Sequence, residues 1–190
     1  ETTDQLSAGN YVVIAAAEAD NAMLSYKSGH NCKATAITKN GNGKLMTFGA
    51  TAPGIFQLEN GDEGTFAFRD IANTTADEYL YSTGDKNKLT SSTANKGLFN
   101  IWVSAGVATI TSTSNSRSVR YNKSDNSNLL FSCYESGQSA VALYKYMTMP
   151  TPVFSLPTGN YVGAQTITVD CAISNATIYY TTDGTTPTTS

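Results

Sequence analysis

The chain has 190 residues, 40% of them hydrophobic and only 14% charged, with 12 basic against 15 acidic side chains. That apolar content supplies a core for one ordinary domain and a small second one, which argues against a disordered chain. The balanced, unclustered charge offers no footprint for a phosphate backbone, so nucleic acid is a poor partner.

Taken in chain order, short stretches of alternating apolar and polar residues recur through the first 147 positions, separated by Gly, Asn, Asp and Ser clusters. This is the pattern of half-buried strands and their turns, and no stretch carries helical periodicity, so the expected class is all-β. The longest apolar run, YVVIAAA from Tyr11, is seven residues, against the roughly 20 a membrane-crossing helix needs. It opens a first group of strands, followed by AMLSY from Ala22, CKATAIT from Cys32 and IFQLE from Ile55, with an insertion near residues 40–43. A second group runs GTFAFRDIA from Gly64, EYLYST from Glu78, NKLTSS from Asn87 and LFNIWV from Leu98. A third runs VATITST from Val107, RSVRYN from Arg117, NLLFSCY from Asn128 and ALYKY from Ala142. Phe68 and Ile110 are 42 residues apart, and Leu80 and Val119 are 39 apart, so the groups are repeats. No four-strand unit of this size can bury its apolar face alone, so the three should close around a shared axis.

That threefold period, with an aromatic in each fourth strand at Phe56, Phe99 and Tyr144, resembles a β-trefoil over residues 6–147. The resemblance implies that those three aromatics are core residues. An irregular barrel or sandwich of ten to twelve strands is the alternative. The QxW signature of many trefoil lectins is absent, since the equivalent segments read FQLE, FNIW and ALYK, and no sugar-pocket residue carries over from that family.

After Tyr146 the composition shifts. Pro150 and Pro152 fix extended geometry, which marks residues 148–152 as a linker. The remainder, 153–190, resembles the Ig-like module at the C-terminal end of chitobiase and related hexosaminidases. The resemblance is carried by Pro152, Phe154, Gly159, Tyr161, the stretch 165–169, and the run 176–187 with Ile178, Tyr179, Tyr180, Asp183, Gly184 and Pro187. It implies an accessory, non-catalytic β-sandwich beside glycoside hydrolases and other exported bacterial proteins. Such modules run to about 70 residues on ordinary small-sandwich sizes, so the sandwich is expected to be incomplete here, with further domains beyond Ser190.

The chemistry is sparse. His30 is the sole histidine, and no nucleophile elbow precedes a helix, so histidine-dependent hydrolysis is not expected. The acids Asp62, Glu63, Asp77, Glu78, Asp85 and Asp125 fall in turns, where local hydrogen bonding favours them, rather than as the facing pair a glycosidase needs. His30 and Cys32 cannot supply the four ligands of a zinc site. Asp85 with Asn87, and Asp125 with Asn128, carry calcium-type oxygens without a complete calcium loop. No metal or cofactor is expected. Of the three cysteines, Cys32 and Cys133 are a candidate disulfide that would leave Cys171 over.

Sugar recognition combines aromatic platforms with a few orienting polar groups. With Leu80 and Val119 inward, strand alternation turns Tyr79, Tyr81 and Arg120 outward. Together with Asp85, Asn87 and Trp102 they are the candidate ligand residues, although tyrosine is also simply favoured in strands. The expectation is a non-catalytic secreted or surface-exposed bacterial binding protein, adhesive or carbohydrate-binding, whose partner is a glycan or an extracellular protein. The alternative is a spacer or accessory region of a secreted hydrolase whose catalytic domain lies elsewhere.

Overall fold

The computed structural model describes residues 6–28, 30–44, 46–82, 84, 87–123, 129–147, 151–171 and 177–187. Among the described residues the chain is all-β, with 45% of them in strands, and it divides into two compact units, Glu1–Tyr146 and Met147–Ser190.

In the first unit, β1 (Tyr11–Ala16), β5 (Phe56–Asn60), β6 (Phe66–Asp70), β9 (Phe99–Ser104), β10 (Val107–Ser112) and β13 (Val141–Lys145) close a ring of antiparallel neighbours. The ring closes because the last strand returns to the first, with Val12 opposite Lys145 and Ala16 opposite Val141. Three of the ring strands lead into a hairpin outside it. These hairpins are β2 (Asn21–Ser28) with β3 (Asn31–Lys39), β7 (Glu78–Tyr81) with β8 (Thr90–Ser92), and β11 (Ser118–Asn122) with β12 (Leu130–Tyr134). A 3₁₀ turn, Asp62–Gly64, links β5 to β6.

Strand alternation explains why the ring has a filled interior. Phe56 and Leu58, Phe68, Phe99 and Ile101, Ile110, and Val141 and Leu143 all belong to one buried cluster with Val12 and Ile14. Phe68 meets Phe56 and Phe99 edge-on, at 6.3 and 5.5 Å between ring centres, an arrangement that adds about 0.5–1.5 kcal/mol per pair beyond area burial. The hairpins contribute Leu80, Val119, Tyr121 and Phe131 to the same core.

Tyr144 departs from the expected core set. Leu143 is the residue of β13 that points into the ring, and Tyr144 faces the other way, half-buried. The reason lies in the insertion of the first repeat. The turn at 40–43, closed by Gly43 N donating to Asn40 O at 2.8 Å, leads into the short strand β4 (Met46–Phe48), which pairs with β3. A second small cluster forms there: Val13, Ala15, Ala22 and Ile37, with Met46, Ile55, Tyr144 and Tyr146 packed against it. Tyr144 OH donates to Gly43 O at 2.6 Å. β1 is therefore buried on both faces, as its unbroken apolar run requires.

Cys32 and Cys133 are both buried thiols, which corrects the expected disulfide. Cys32 lies opposite Phe131, two residues before Cys133 on β12. An offset of about 6.6 Å along the strand, taken with the roughly 4.8 Å between strands, puts the two Cα atoms about 8 Å apart, beyond the roughly 7 Å a disulfide spans, and each sulfur has its own polar neighbour. Cys32 Sγ lies 3.9 Å from Leu89 O, and Cys133 is hydrogen-bonded with Ser82.

In the second unit, β14 (Val153–Phe154) pairs with β15 (Val169–Asp170). Tyr161 OH donates to Pro157 O at 2.6 Å. Gly184 has φ +79, and Asp183 Oδ1 accepts from Thr185 N at 3.1 Å and Thr185 Oγ1 at 2.7 Å. These bonds also hold the exposed Asp183 carboxyl below its ordinary range. Asp183 and Gly184 thus form a turn of the kind local carboxylate bonding and positive φ produce. Linker positions 148–150 lie outside the described residues.

Candidate functional site

Register and alternation together place one row of outward side chains across the ring and into the second hairpin. Tyr11 lies opposite Gln57, Gln57 opposite Arg69, Arg69 opposite Tyr79, and Tyr79 opposite Ser92. At the usual strand spacing the row runs about 14 Å from Tyr11 to Tyr79. Polar contacts tie it together. Gln57 Nε2 donates to Tyr11 OH at 3.4 Å, and Arg69 donates to Gln57 Oε1. Arg69 Nε reaches Glu59 Oε1 at 3.1 Å and its Nη1 reaches Asp77 at 3.4 Å. Lys96 Nζ sits 2.7 Å from Glu59 Oε2 and 5.0 Å over the Tyr79 ring, while Tyr79 OH donates to Glu59 Oε2 at 3.1 Å. Burial alone pushes the Glu59 carboxyl up, but the bond and charge of Lys96, with Tyr79 and Arg69, hold it below its ordinary value. The Tyr79 phenol is raised by burial and by donation to that carboxylate.

Beside this row, Arg69, Ile71 and the turn 73–77 line an open depression of about 530 Å³. Its wall is held by Asn73 Oδ1, which accepts from Thr75 N, Thr75 Oγ1 and Ala76 N at 3.0–3.2 Å. A second depression, about 570 Å³, lies at the corresponding turn of the third repeat, lined by Gly84, residues 114–117 and Glu135. There Arg117 donates to Asn87 Oδ1 at 3.1 Å and pairs with Glu135 at 3.4 Å. In the first repeat the same turn is sealed instead: Lys39 Nζ donates to Ala16 O, Ala17 O and Ala19 O at 2.5, 3.1 and 2.7 Å.

The candidate ligand residues do not converge. Tyr79 belongs to the row just described. Tyr81, half-buried, ends β7 opposite Thr90. Asn87 joins Arg117 at the second depression. Trp102 stands 66% exposed on the outer face of β9. Arg120 is half-buried opposite Ser132, and its Nε and the Ser132 hydroxyl are both buried without a partner. Asp85, Asp125 and Asn128 lie outside the described residues. Glu59, Arg69 and Lys96 escaped sequence reasoning because they come from β5, β6 and the segment before β9; only strand register brings them together. His30 is exposed while Cys32 is buried, so their close spacing does not aim them at one point. Among the described residues, no three His, Cys, Asp or Glu side chains are grouped to hold a metal ion, and no helix is long and apolar enough to cross a membrane.

Known proteins bear on the second unit most directly. Residues 156–190 match the chitobiase/beta-hexosaminidase C-terminal domain. An endoglucanase of Clostridium saccharobutylicum is 54% identical over 39 residues, which are 20% of this chain and 9% of that enzyme. The chain thus spans about a tenth of the length of this curated relative. A lysenin pore structure aligns with 73% of this chain and 46% of its own, at 17% identity and a TM-score of 0.45, a likeness too slight to transfer fold or activity. That domain family is a non-catalytic accessory one, and within the matched residues Tyr179 and Tyr180 are exposed.

Proposed function

We propose that this chain is a carbohydrate-binding accessory region of an exported bacterial protein of the glycoside-hydrolase type, without catalytic chemistry of its own. The observation that carries the reading is the match of residues 156–190 to the chitobiase/beta-hexosaminidase C-terminal domain, supported by the relative whose name is endoglucanase. In this reading residues 6–147 are a β-trefoil. The six-strand ring with three outer hairpins, one per repeat, supports that assignment. The ligand surfaces are those that carry aromatic and polar groups together: Tyr79 with its row, the Asn87 and Arg117 depression, and Trp102. Exposure outside the cytoplasm follows from the accessory role.

The test is a glycan array together with depletion from solution by insoluble polysaccharides, using the whole chain with its fold checked by circular dichroism. Retention by at least one polysaccharide, with no release of reducing sugar, is the expected result. A folded chain that no glycan retains, or one that hydrolyses what it binds, refutes the proposal.

A further inference from the structure

Resting on the carbohydrate-binding reading, we infer that the outer face of the β9–β10 hairpin is a stacking platform for a neutral polysaccharide, with Trp102 as its aromatic plate. The burial alternates along both strands without a break: Phe99, Ile101 and Val103 point in, while Asn100, Trp102 and Ser104 point out. Opposite them, Ala108 and Ile110 point in while Val107 and Thr109 point out. The inner face is already filled, so the largest side chain of the hairpin is on the outside for a reason other than core packing. Cross-strand pairing places Thr109 opposite Trp102, Asn100 opposite Thr111 and Val107 opposite Ser104.

Three features make this face suited to a flat, uncharged ligand. First, residues 97–116 contain no charged side chain at all, and the charges that bracket them are engaged elsewhere, Lys96 with Glu59 and Arg117 with Glu135. A polyanion therefore gains nothing here. Second, the face is the outside of a strand pair and not the wall of either depression, so it can meet the surface of a polymer rather than enclose a chain end. The indole offers its π-face to the C–H face of a sugar ring, and Asn100 and Thr109 flank it with exposed hydrogen-bonding groups. Third, the platform is preorganised. Six consecutive cross-strand pairs hold the two strands, and a two-residue turn with Ala105 at φ 49 and Gly106 at φ 80 closes them, the left-handed pair that fits strand twist. A rigid plate loses little conformational freedom on binding.

Trp102 is the single tryptophan of the chain, so indole emission reports on this face alone. The experiment titrates the whole chain with soluble hydroxyethylcellulose and chitin oligosaccharides, and depletes it with insoluble cellulose and chitin; alginate serves as the polyanionic comparison. The expected result is retention by a neutral polymer, a blue-shifted emission with reduced acrylamide quenching, and binding that persists in about 1 M NaCl, where charge attraction is screened within ~3 Å. Trp102→Ala should weaken binding at least about tenfold, as truncation of an aromatic anchor does, while Trp102→Tyr keeps most of it. If a polysaccharide is bound but emission stays fixed and Trp102→Ala binds equally, the platform is wrong and the carbohydrate-binding reading survives. Preference for alginate, lost at high salt, also overturns the platform. A folded chain that binds none of these polymers overturns both.

Discussion

Cys133 sits in the core between β11 and the loop carrying Ser82, and burial pushes its thiol up to about 11, against the lowering influence of its Ser82 bond and of Arg117. The unfolded thiol ionises near 9, so the folded state holds its proton longer than the unfolded one. Its contribution is therefore complete below pH 9 and lost as pH rises toward 11, by about 2–3 kcal/mol for a shift of two units. Urea unfolding midpoints of the wild type should fall more steeply across pH 9–11 than those of Cys133→Ala; parallel curves would show that the thiol does not ionise differently in the two states. Glu59 runs in the opposite sense. Its folded value is depressed, so its contribution is present at neutral pH, above the unfolded value, and lost as pH falls through the folded value. Glu59→Gln should be less stable than wild type at pH 7, with the gap closing in acid. A gap that stays constant from neutral to acid pH would mean the carboxylate charge is not what Arg69 and Lys96 hold.

Among the elements, β9 and β10 were legible from sequence because each has one wet and one dry face, and strict alternation follows from that. β1 and β13 were harder. A strand buried on both faces has no alternation to read, so nothing in ALYKY distinguished Leu143 from Tyr144 as the inward residue until β4 was seen covering the outer side. β4 itself is three residues long, too short for any periodicity. The site suffered from the same gap: Tyr79 stood out as an aromatic, but its partners Glu59, Arg69 and Lys96 are joined by register and not by spacing. Tight backbone approach is equally invisible in sequence. Between β8 and β9, a Cβ at Gly97 would lie 2.3 Å from Leu80 O and 2.9 Å from Tyr81 Cα, and backbone on β7 cannot yield as a side-chain tip can. Gly97→Ala should therefore destabilise by about 1–3 kcal/mol, the range of overpacking, whereas Gly41→Ala, with open space around it, should stay within about 0.5 kcal/mol of wild type. Equal thermal midpoints for the two variants would contradict the close approach.

For the molecule as a whole, the two units differ in what holds them. The first has a closed ring, whose strands have neighbours on both sides, around a continuous core. Opening any ring strand exposes that core, so amide exchange there should require near-global unfolding. In the second unit, the strands that pair are two residues each, and none of its described residues is buried. Val162 is fully exposed and Tyr180 is 72% exposed, so little apolar area stabilises the pairing of Val153 with Asp170. Local opening there should lie near zero free energy. Hydrogen exchange read by mass spectrometry on the whole chain should show slow amides at Val12, Phe68, Ile101, Ile110 and Leu143, and complete exchange across 151–171 and 177–187 at the earliest times. Slow exchange within 177–187 would instead show that the TIYYTT segment pairs with other strands in solution and carries a stability of its own. Polysaccharide added to the exchange buffer separates the roles further: protection gained only on β9 and β10 ties ligand binding to the ring unit, and protection gained across 177–187 ties it to the second unit.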